Sequence, residues 1–257
     1  MNVVPKKALG QHFLVDENIL GVIDRMSALA SADVVLEVGP GLGILTRYLA
    51  ERVARVHSIE LDRSLEPHLH DALAGVSNVE LVWADVLTVA IDDLEPRPSK
   101  LVANLPYNVA TPLVLETLEH ASSIDLWCVM VQREVADRFF AVPRTKAYGA
   151  VSVLVQLSAR RTGFHAVSPH VFRPPPRVQS ALLAFERSPT APIASVRPVV
   201  EAAFALRRKT AANAIAHSRL APRERVVQAL TSIGHAPNAR AEELSPDEFV
   251  ALADALR

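Results

Sequence analysis

Asn104-Leu105-Pro106-Tyr107 is the segment of this chain whose residue types ask most directly for chemistry. A planar exocyclic amine carries two N–H donors, and the Asn104 side-chain oxygen together with the Leu105 carbonyl can accept both. Accepting both protons draws the nitrogen toward sp³ character and raises its lone pair, which makes it a better nucleophile. Tyr107 supplies a face on which an extruded base can stack, worth about 1–3 kcal/mol, and Pro106 fixes φ and stiffens the turn. The plainer reading is an Asn-x-Pro turn closing a strand.

Two further features precede it. Glu37-Val38-Gly39-Pro40-Gly41-Leu42-Gly43 follows a β-branched run and opens a helical stretch. Glycines there let the backbone turn tightly and approach a ligand, with a helix N-terminus behind it. The G-x-G-x-G spacing is one residue short of the dinucleotide pattern, and Pro40 removes an N–H that a pyrophosphate cradle would use. Gly39 and Gly41 therefore suit a nucleoside ligand without a diphosphate; a turn that serves packing alone is the competing reading. Glu60 and Asp62 end the next strand, with Glu60 21 residues after Gly39. A carboxylate at that place can accept hydrogen bonds from both ribose hydroxyls, a feature shared with nicotinamide enzymes. Asp85 ends the third strand, where it can receive an adenine amino group. Each acid alone reads as a helix cap; the ordered set of Gly39, Glu60 and Asp85 places three groups along one sheet edge.

The elements that must position these groups alternate. Strands are expected at 34–38, 56–62, 79–85, 100–104 and 126–131, with helices at 42–52, 63–74 and 112–121 between them. The run at 126–131 is apolar on both faces and therefore central. Alternation of this kind argues for an α/β fold, a parallel Rossmann-like sheet with helices on both faces. Beyond Gln132 the pattern loosens, with a helix at 133–140, an apolar segment at 150–159, and strands bracketing the Pro-rich 172–177. Ser188-Pro189-Thr190-Ala191-Pro192 is a linker, and 196–257 reads as helical, its last helix starting with a Ser245-Pro246-Asp247-Glu248 capping box. The chain is accordingly divided into 1–188 and a small all-helical 189–257.

The 257 residues are 50% hydrophobic and 21% charged with a mean hydropathy of +0.20, a composition that excludes a disordered chain. One cysteine, Cys128, excludes a disulfide framework and a four-cysteine zinc site. His68 and His70 lack a third ligand at zinc spacing, so no metal is expected. No apolar run reaches membrane-spanning length, and Lys6 and Lys7 are not followed by a signal-type apolar core; a cytoplasmic protein is expected. The net charge of −1 hides an asymmetry: residues 1–125 hold 9 Lys and Arg against 18 Asp and Glu, whereas 126–257 hold 18 against 10. A basic half is the footprint of a polyanion partner; a solvated Arg-rich surface accounts for it equally well. Arg207, Arg208 and Lys209 are the candidate phosphate contacts, against the plainer reading of a solvated helix face.

Taken in order, these residues resemble S-adenosyl-L-methionine-dependent N6-adenine methyltransferases. More narrowly, the chain resembles the ribosomal-RNA small-subunit adenine N6,N6-dimethyltransferase family. The resemblance extends over most of the chain: Lys7-Ala8-Leu9-Gly10-Gln11-His12-Phe13-Leu14, the glycine loop, Asn104 to Pro112, Gln132 to Arg138, Ala147-Tyr148-Gly149, Phe172 to Val178, and Arg207-Arg208-Lys209-Thr210. It implies that His12, Leu14, Gly39, Glu60, Asp85 and Asn104 contact the methyl donor, with the Gly10-to-Leu14 segment folded over it. It implies dimethylation of N6 on two adjacent adenosines near the 3′ end of small-subunit rRNA, a part in small-subunit biogenesis, and a basic C-terminal unit that grips the rRNA. Direct in-line displacement by the amine needs no metal and no covalent intermediate. The base must first leave its stack, at a cost of a few kcal/mol. Two departures bear on RNA docking: Gln179 replaces the family's usual Asp, and Ala211-Ala212-Asn213-Ala214 replaces a Leu-Arg-Asn-Asn type stretch.

Three other functions compete. A related family methylates a large-subunit rRNA adenine and confers macrolide resistance; Ala147-Tyr148-Gly149 and Arg-Arg-Lys-Thr favour the small-subunit enzyme. A non-catalytic nucleic-acid-binding assembly factor would not require Asn104 to Tyr107, and a nicotinamide oxidoreductase would require the missing glycine spacing. Nothing in the sequence indicates an obligate interface, so a monomer is expected.

Overall fold

Short β-branched runs separated by amphipathic segments form the expected alternation. In the computed structural model, which describes residues 5–6, 10–206 and 208–257, the elements run β1 (Phe13–Leu14), α1 (Asn18–Ser27), β2 (Val34–Val38), α2 (Ile44–Ala50), β3 (Arg55–Glu60), α3 (Glu66–Ala72), β4 (Val79–Trp83), β5 (Lys100–Asn104), α4 (Ala110–His120) and β6 (Leu126–Gln132). There follow α5 (Arg133–Phe139), α6 (Ala150–Gln156), β7 (Ala159–Val167), β8 (Phe172–Arg173) and β9 (Ser180–Arg187), then α7 (Ile193–Phe204), α8 (Ala211–His217), α9 (Arg223–Ser232) and α10 (Pro246–Leu256).

The sheet has seven strands in the order β4-β3-β2-β5-β6-β9-β7. Its first five strands are parallel, and β9 returns antiparallel to β6 along the full length Leu126↔Glu186 to Gln132↔Ser180. Two consequences matter for the site. The parallel strands all end on one edge, at Val38, Glu60, Trp83, Asn104 and Gln132, and β9 begins on that same edge at Ser180. β6 is buried from Leu126 through Val131, and consecutive strand residues point to opposite faces, so both faces are covered. Trp127 stacks on Phe185 of β9 with centroids 5.3 Å apart, and its indole N–H donates to the Thr117 hydroxyl at 2.9 Å. Cys128, on the opposite face, is fully buried with its Sγ toward the Ile23 carbonyl of α1. Arg187 closes the end of α4, its guanidinium donating to the carbonyls of Leu118 (2.9 Å) and Ala121 (2.7 Å) that the helix leaves without partners.

The chain divides into two compact units, Met1–Ala136 with Arg161–Arg187, and Asp137–Arg160 with Ser188–Arg257. The division by sequence at 188 differs in one respect: it leaves 137–160 in the first unit. That segment belongs with the helices because its apolar residues are spent there. α6 buries Val153, Leu154 and Val155 and packs on α7 and α10. Tyr148, of the Ala-Tyr-Gly block, donates its phenol to the Leu244 carbonyl at 2.7 Å and meets the Phe204 ring edge-on. Within the helical unit the Ser245–Glu248 capping box forms as the sequence predicts, and Thr210 caps α8 by accepting the Asn213 N–H. Ala211 and Ala212, the departure from the family pattern, are fully buried on the packed face of α8.

Candidate active site

The glycine loop, Glu60, Asp85, the Asn104-to-Tyr107 turn and the Gly10-to-Leu14 segment converge on one cavity at the C-terminal edge of the parallel strands, and of the groups read as ligand-facing only Asp62 stands outside it. Gly10 to Leu14, Gly39, Gly41, Glu60, Asp85 and Asn104 to Tyr107 line it, together with apolar Ile44, Leu65 and Val86. This is where an open α/β sheet places ligands.

The glycine loop is shaped by contacts on both sides. Gly39 has φ +73°, and a Cβ there would stand 3.2 Å from the Pro106 ring; Gly41 has φ +58°, and a Cβ would meet the Phe13 ring at 2.9 Å. The loop is thus squeezed between Asn104-to-Tyr107 and the N-terminal segment, and only glycine tolerates both the conformation and the approach. The same loop is packed on two sides and lines the cavity, so the packing reading does not exclude the other.

Glu60 is buried to 7% exposure. One carboxylate oxygen accepts the Asp62 N–H at 2.8 Å and the other accepts the Gly41 N–H at 3.3 Å. Burial raises its pKa, and hydrogen bonds from the backbone of Asp62, Gly41 and Leu61 oppose that rise. Asp62, grouped with it by sequence, has a different job. Its carboxylate is absent from the cavity wall and instead receives Lys6 Nζ at 2.6 Å, Gln11 Nε2 at 2.8 Å and the Ser64 hydroxyl at 2.6 Å. Burial pushes its pKa up, but the bonds from Lys6, Ser64 and Gln11 outweigh this and hold the carboxyl well below its ordinary range. Asp62 ties down the segment that crosses the cavity. That segment is secured again by β1, which pairs antiparallel with β8, and by His12 Nδ1 against the Pro174 carbonyl at 2.8 Å. No local signal in the sequence announces these ties, because their partners lie 51 to 162 residues away.

Asp85 is exposed at the cavity rim and caps a 3₁₀ turn by accepting the Leu87 N–H at 3.0 Å. The cap reading and the cavity position hold together. Asn104 donates its amide nitrogen to the His12 carbonyl at 3.2 Å, which leaves the amide oxygen as the acceptor end. Leu105 is anchored by its N–H to the Met130 carbonyl at 3.0 Å. Tyr107 is half-buried, 5.5 Å from the His12 ring, with its hydroxyl 2.8 Å from Ser180 Oγ.

Beneath the loop, Glu37 is fully enclosed and accepts the Ser58 hydroxyl at 2.9 Å. Burial, aided by the neighbouring Glu60 charge, raises its pKa from 4.5 to about 7 against the lowering effect of the Thr46 and Ser58 hydroxyls. A carboxyl raised in the folded state favours folding fully below its unfolded pKa and loses that contribution as pH climbs through the folded value. Glu37→Gln is therefore expected to flatten the fall in stability between about pH 4.5 and 7, an effect of roughly 3 kcal/mol. Urea titrations of both proteins at pH 5 and 8 check it; parallel losses in the two would refute it.

In the helical unit Arg208 and Lys209 are exposed, and Lys209 borders a second cavity with Arg144, Lys146 and Tyr148. Arg207, the third basic candidate, lies outside the described residues, as do Lys7 to Leu9. Among the described residues no cluster of three His, Cys, Asp or Glu side chains is placed to hold a metal ion, and no helix is long and apolar enough to cross a membrane.

A glycine loop after the first sheet strand, a buried carboxylate ending the second and an Asn-Leu-Pro-Tyr turn ending the fourth, on a seven-stranded sheet in which β9 runs against the five parallel strands, define a class I methyltransferase. The family described as ribosomal RNA adenine dimethylase matches residues 4–257. The chain belongs to that family, and S-adenosylmethionine is the donor the family uses. The ribosomal RNA small subunit methyltransferase A of Rubrobacter xylanophilus is 48% identical over 96% of this chain and 94% of its own length. That of Pelotomaculum thermopropionicum is 42% identical over 98% and 91%. Among solved structures, a dimethyladenosine transferase from Plasmodium falciparum superposes with a TM-score of 0.78 at 23% identity, covering 94% of this chain and 96% of that one. The 23S rRNA methyltransferase ErmE does so at 0.67 and 29%, covering 95% and 99%.

Proposed function

We propose that this protein dimethylates N6 of two adjacent adenosines near the 3′ end of small-subunit rRNA, and takes part in small-subunit biogenesis in the cytoplasm as a monomer. The observation that carries the reading is the meeting, in one cavity, of the glycine loop, Glu60 and Asp85 with Asn104 to Tyr107. The donor fits the residues present. The Glu60 carboxylate holds the Gly41 amide and retains lone pairs for ribose hydroxyls; apolar Ile44, Leu65 and Val86 suit a purine, and Asp85 its amino group. His12 and Leu14, on the crossing segment, complete the enclosure. When bound, the donor supplies a methyl group already activated on a sulfonium.

The chain's own residues do the rest. The Asn104 amide oxygen, the end left free by its bond to His12, and the Leu105 carbonyl accept the N6 protons, two in the first transfer and the one that remains in the second, and raise the lone pair. Tyr107 offers its ring to the base, and Pro106 holds the turn against Gly39. Once the amine has reacted, the resulting cation is acidic enough that no general base need be assigned. Residues 189–257, extended by 137–160, serve as the rRNA-contacting unit through Arg207, Arg208 and Lys209. Phosphate contacts of this kind offset the cost of extruding the base and weaken as salt rises.

The likeness to ErmE favours a second reading, methylation of large-subunit RNA, but the small-subunit relatives are the nearer in identity, 48% against 29%. Labelled methyl transfer from S-adenosylmethionine to purified, unmethylated small and large subunits separates the two. Label recovered as N6,N6-dimethyladenosine in small-subunit rRNA is the expected result. Label on large-subunit RNA alone would move the protein to the second reading, and label on neither would leave an assembly factor.

A further inference from the structure

Ser180 opens β9, and its hydroxyl has a use that packing alone does not explain. Its side chain is buried at 1% exposure, on a strand whose next residue, Ala181, fills a buried position without any polar atom. A buried hydroxyl needs a partner, and among the described residues the only one recorded for Ser180 Oγ is the Tyr107 hydroxyl, at 2.8 Å. The meeting follows from topology. Asn104, at the end of β5, pairs with Met130 of β6, and the Leu105 N–H extends that pairing to the Met130 carbonyl. Two residues along, Gln132 pairs with Ser180 of β9. Because β9 runs opposite to the others, its first residue arrives at the edge where the catalytic turn leaves the sheet.

We infer that Ser180 is a positioning residue: its hydroxyl tethers the Tyr107 phenol and so sets the plane of the ring against which the target base lies, next to the Asn104 amide. The inference rests on the methyl-transfer reading above. Tyr107 is half-buried, with the His12 ring on one side at a tilt of 33°, so without the tether nothing recorded at its polar end opposes rotation. An amine and a methyl donor react fast only when both are held in line, and small displacements are costly in rate. The backbone is fixed just ahead of the serine as well, the Gln179 carbonyl accepting the Arg133 N–H at 2.9 Å.

The test compares wild type, Ser180→Ala, Tyr107→Phe and the double variant on unmethylated small subunits and on an rRNA fragment carrying 2-aminopurine at the target position. Loss of one hydrogen bond that acts in the reacting complex predicts a fall in kcat of about tenfold for Ser180→Ala. KM for the subunit and affinity for S-adenosylmethionine should stay within about twofold of wild type. Since both single changes remove the same bond, the double variant should be no slower than the slower single one. Quenching of 2-aminopurine on binding should weaken in Ser180→Ala, a change that lower stability alone would not produce. Wild-type kcat in Ser180→Ala, additive losses in the double variant, or a loss confined to KM would overturn the assignment. If Ser180→Ala folds poorly, Tyr107→Phe breaks the same contact from the more exposed side and is judged by the same kcat and quenching criteria. Wild type that labels neither subunit would overturn the functional reading and this inference with it, whereas active wild type beside an unaltered Ser180→Ala overturns this inference alone.

Discussion

Asn104→Ala is expected to lower the rate of methyl transfer by about 10²–10³-fold, the usual cost of deleting one preorganised acceptor or donor at a reacting centre. The side chain performs two tasks. Its nitrogen donates to the His12 carbonyl at 3.2 Å, which orients the amide and adds one tie to the segment across the cavity. Its oxygen, left free by that bond, is the acceptor proposed for an N6 proton. The segment keeps its other ties, Lys6 and Gln11 on Asp62 and β1 on β8, so donor affinity should fall only a few-fold. Single-turnover transfer of labelled methyl, with calorimetry of donor binding in parallel, separates the two tasks. A variant within threefold of wild-type rate would remove Asn104 from the chemistry, and a collapse of donor binding equal to the loss in rate would reassign it to the donor site. Asn104→Asp adds a test of orientation: it keeps acceptors but cannot donate to His12, and its second oxygen would face that carbonyl, so it should also be slow.

Glu60→Ala is expected to weaken donor binding by about 10²–10³-fold. Hydrogen bonds from two ribose hydroxyls to a charged acceptor are worth roughly 1.5–3 kcal/mol each. The change also strips the Asp62 and Gly41 amides of the carboxylate they now bond at 2.8 and 3.3 Å, loosening the glycine loop. Calorimetry with S-adenosylmethionine measures the loss directly. A donor analogue lacking both ribose hydroxyls provides the control: wild type should bind it weakly, and Glu60→Ala should bind it no more weakly than it binds the full donor. If the analogue binds wild type as well as the full donor does, the carboxylate is not the ribose site and its part is confined to the loop.

Much of this site could be read from the chain because the fold makes it local. In a parallel sheet each crossover carries the chain back to the starting edge, so every strand ends on the same opposite edge. A residue recognised as strand-ending is thereby placed, and Gly39, Glu60, Asp85 and Asn104 came out together for that reason. Boundaries shifted by a few residues: α2 begins at Ile44 rather than 42, because Gly43 takes φ +80° ahead of it. Asp62 shows the limit of the same logic. Two positions past Glu60 it lies beyond the end of β3, which stops at Glu60 rather than at 62; it caps the next turn and turns to Lys6 and Gln11 instead of the cavity, and strand periodicity says nothing about which of two neighbouring acids a distant segment will claim.

What the sequence determined by itself was therefore the set of chemical groups and their common edge, since residue type, strand ends and strand–helix alternation are all encoded in short stretches. The tertiary structure alone decided which groups hold which others. It tied Gly10 to Leu14 across the cavity through β8 and Asp62, reversed β9 so that Ser180 reaches Tyr107, and drew 137–160 into the helical unit. Each of those contacts joins segments tens of residues apart or more. Their pairing is selected by how much apolar surface and how many polar groups the whole chain can satisfy at once, a balance that no short stretch of sequence carries.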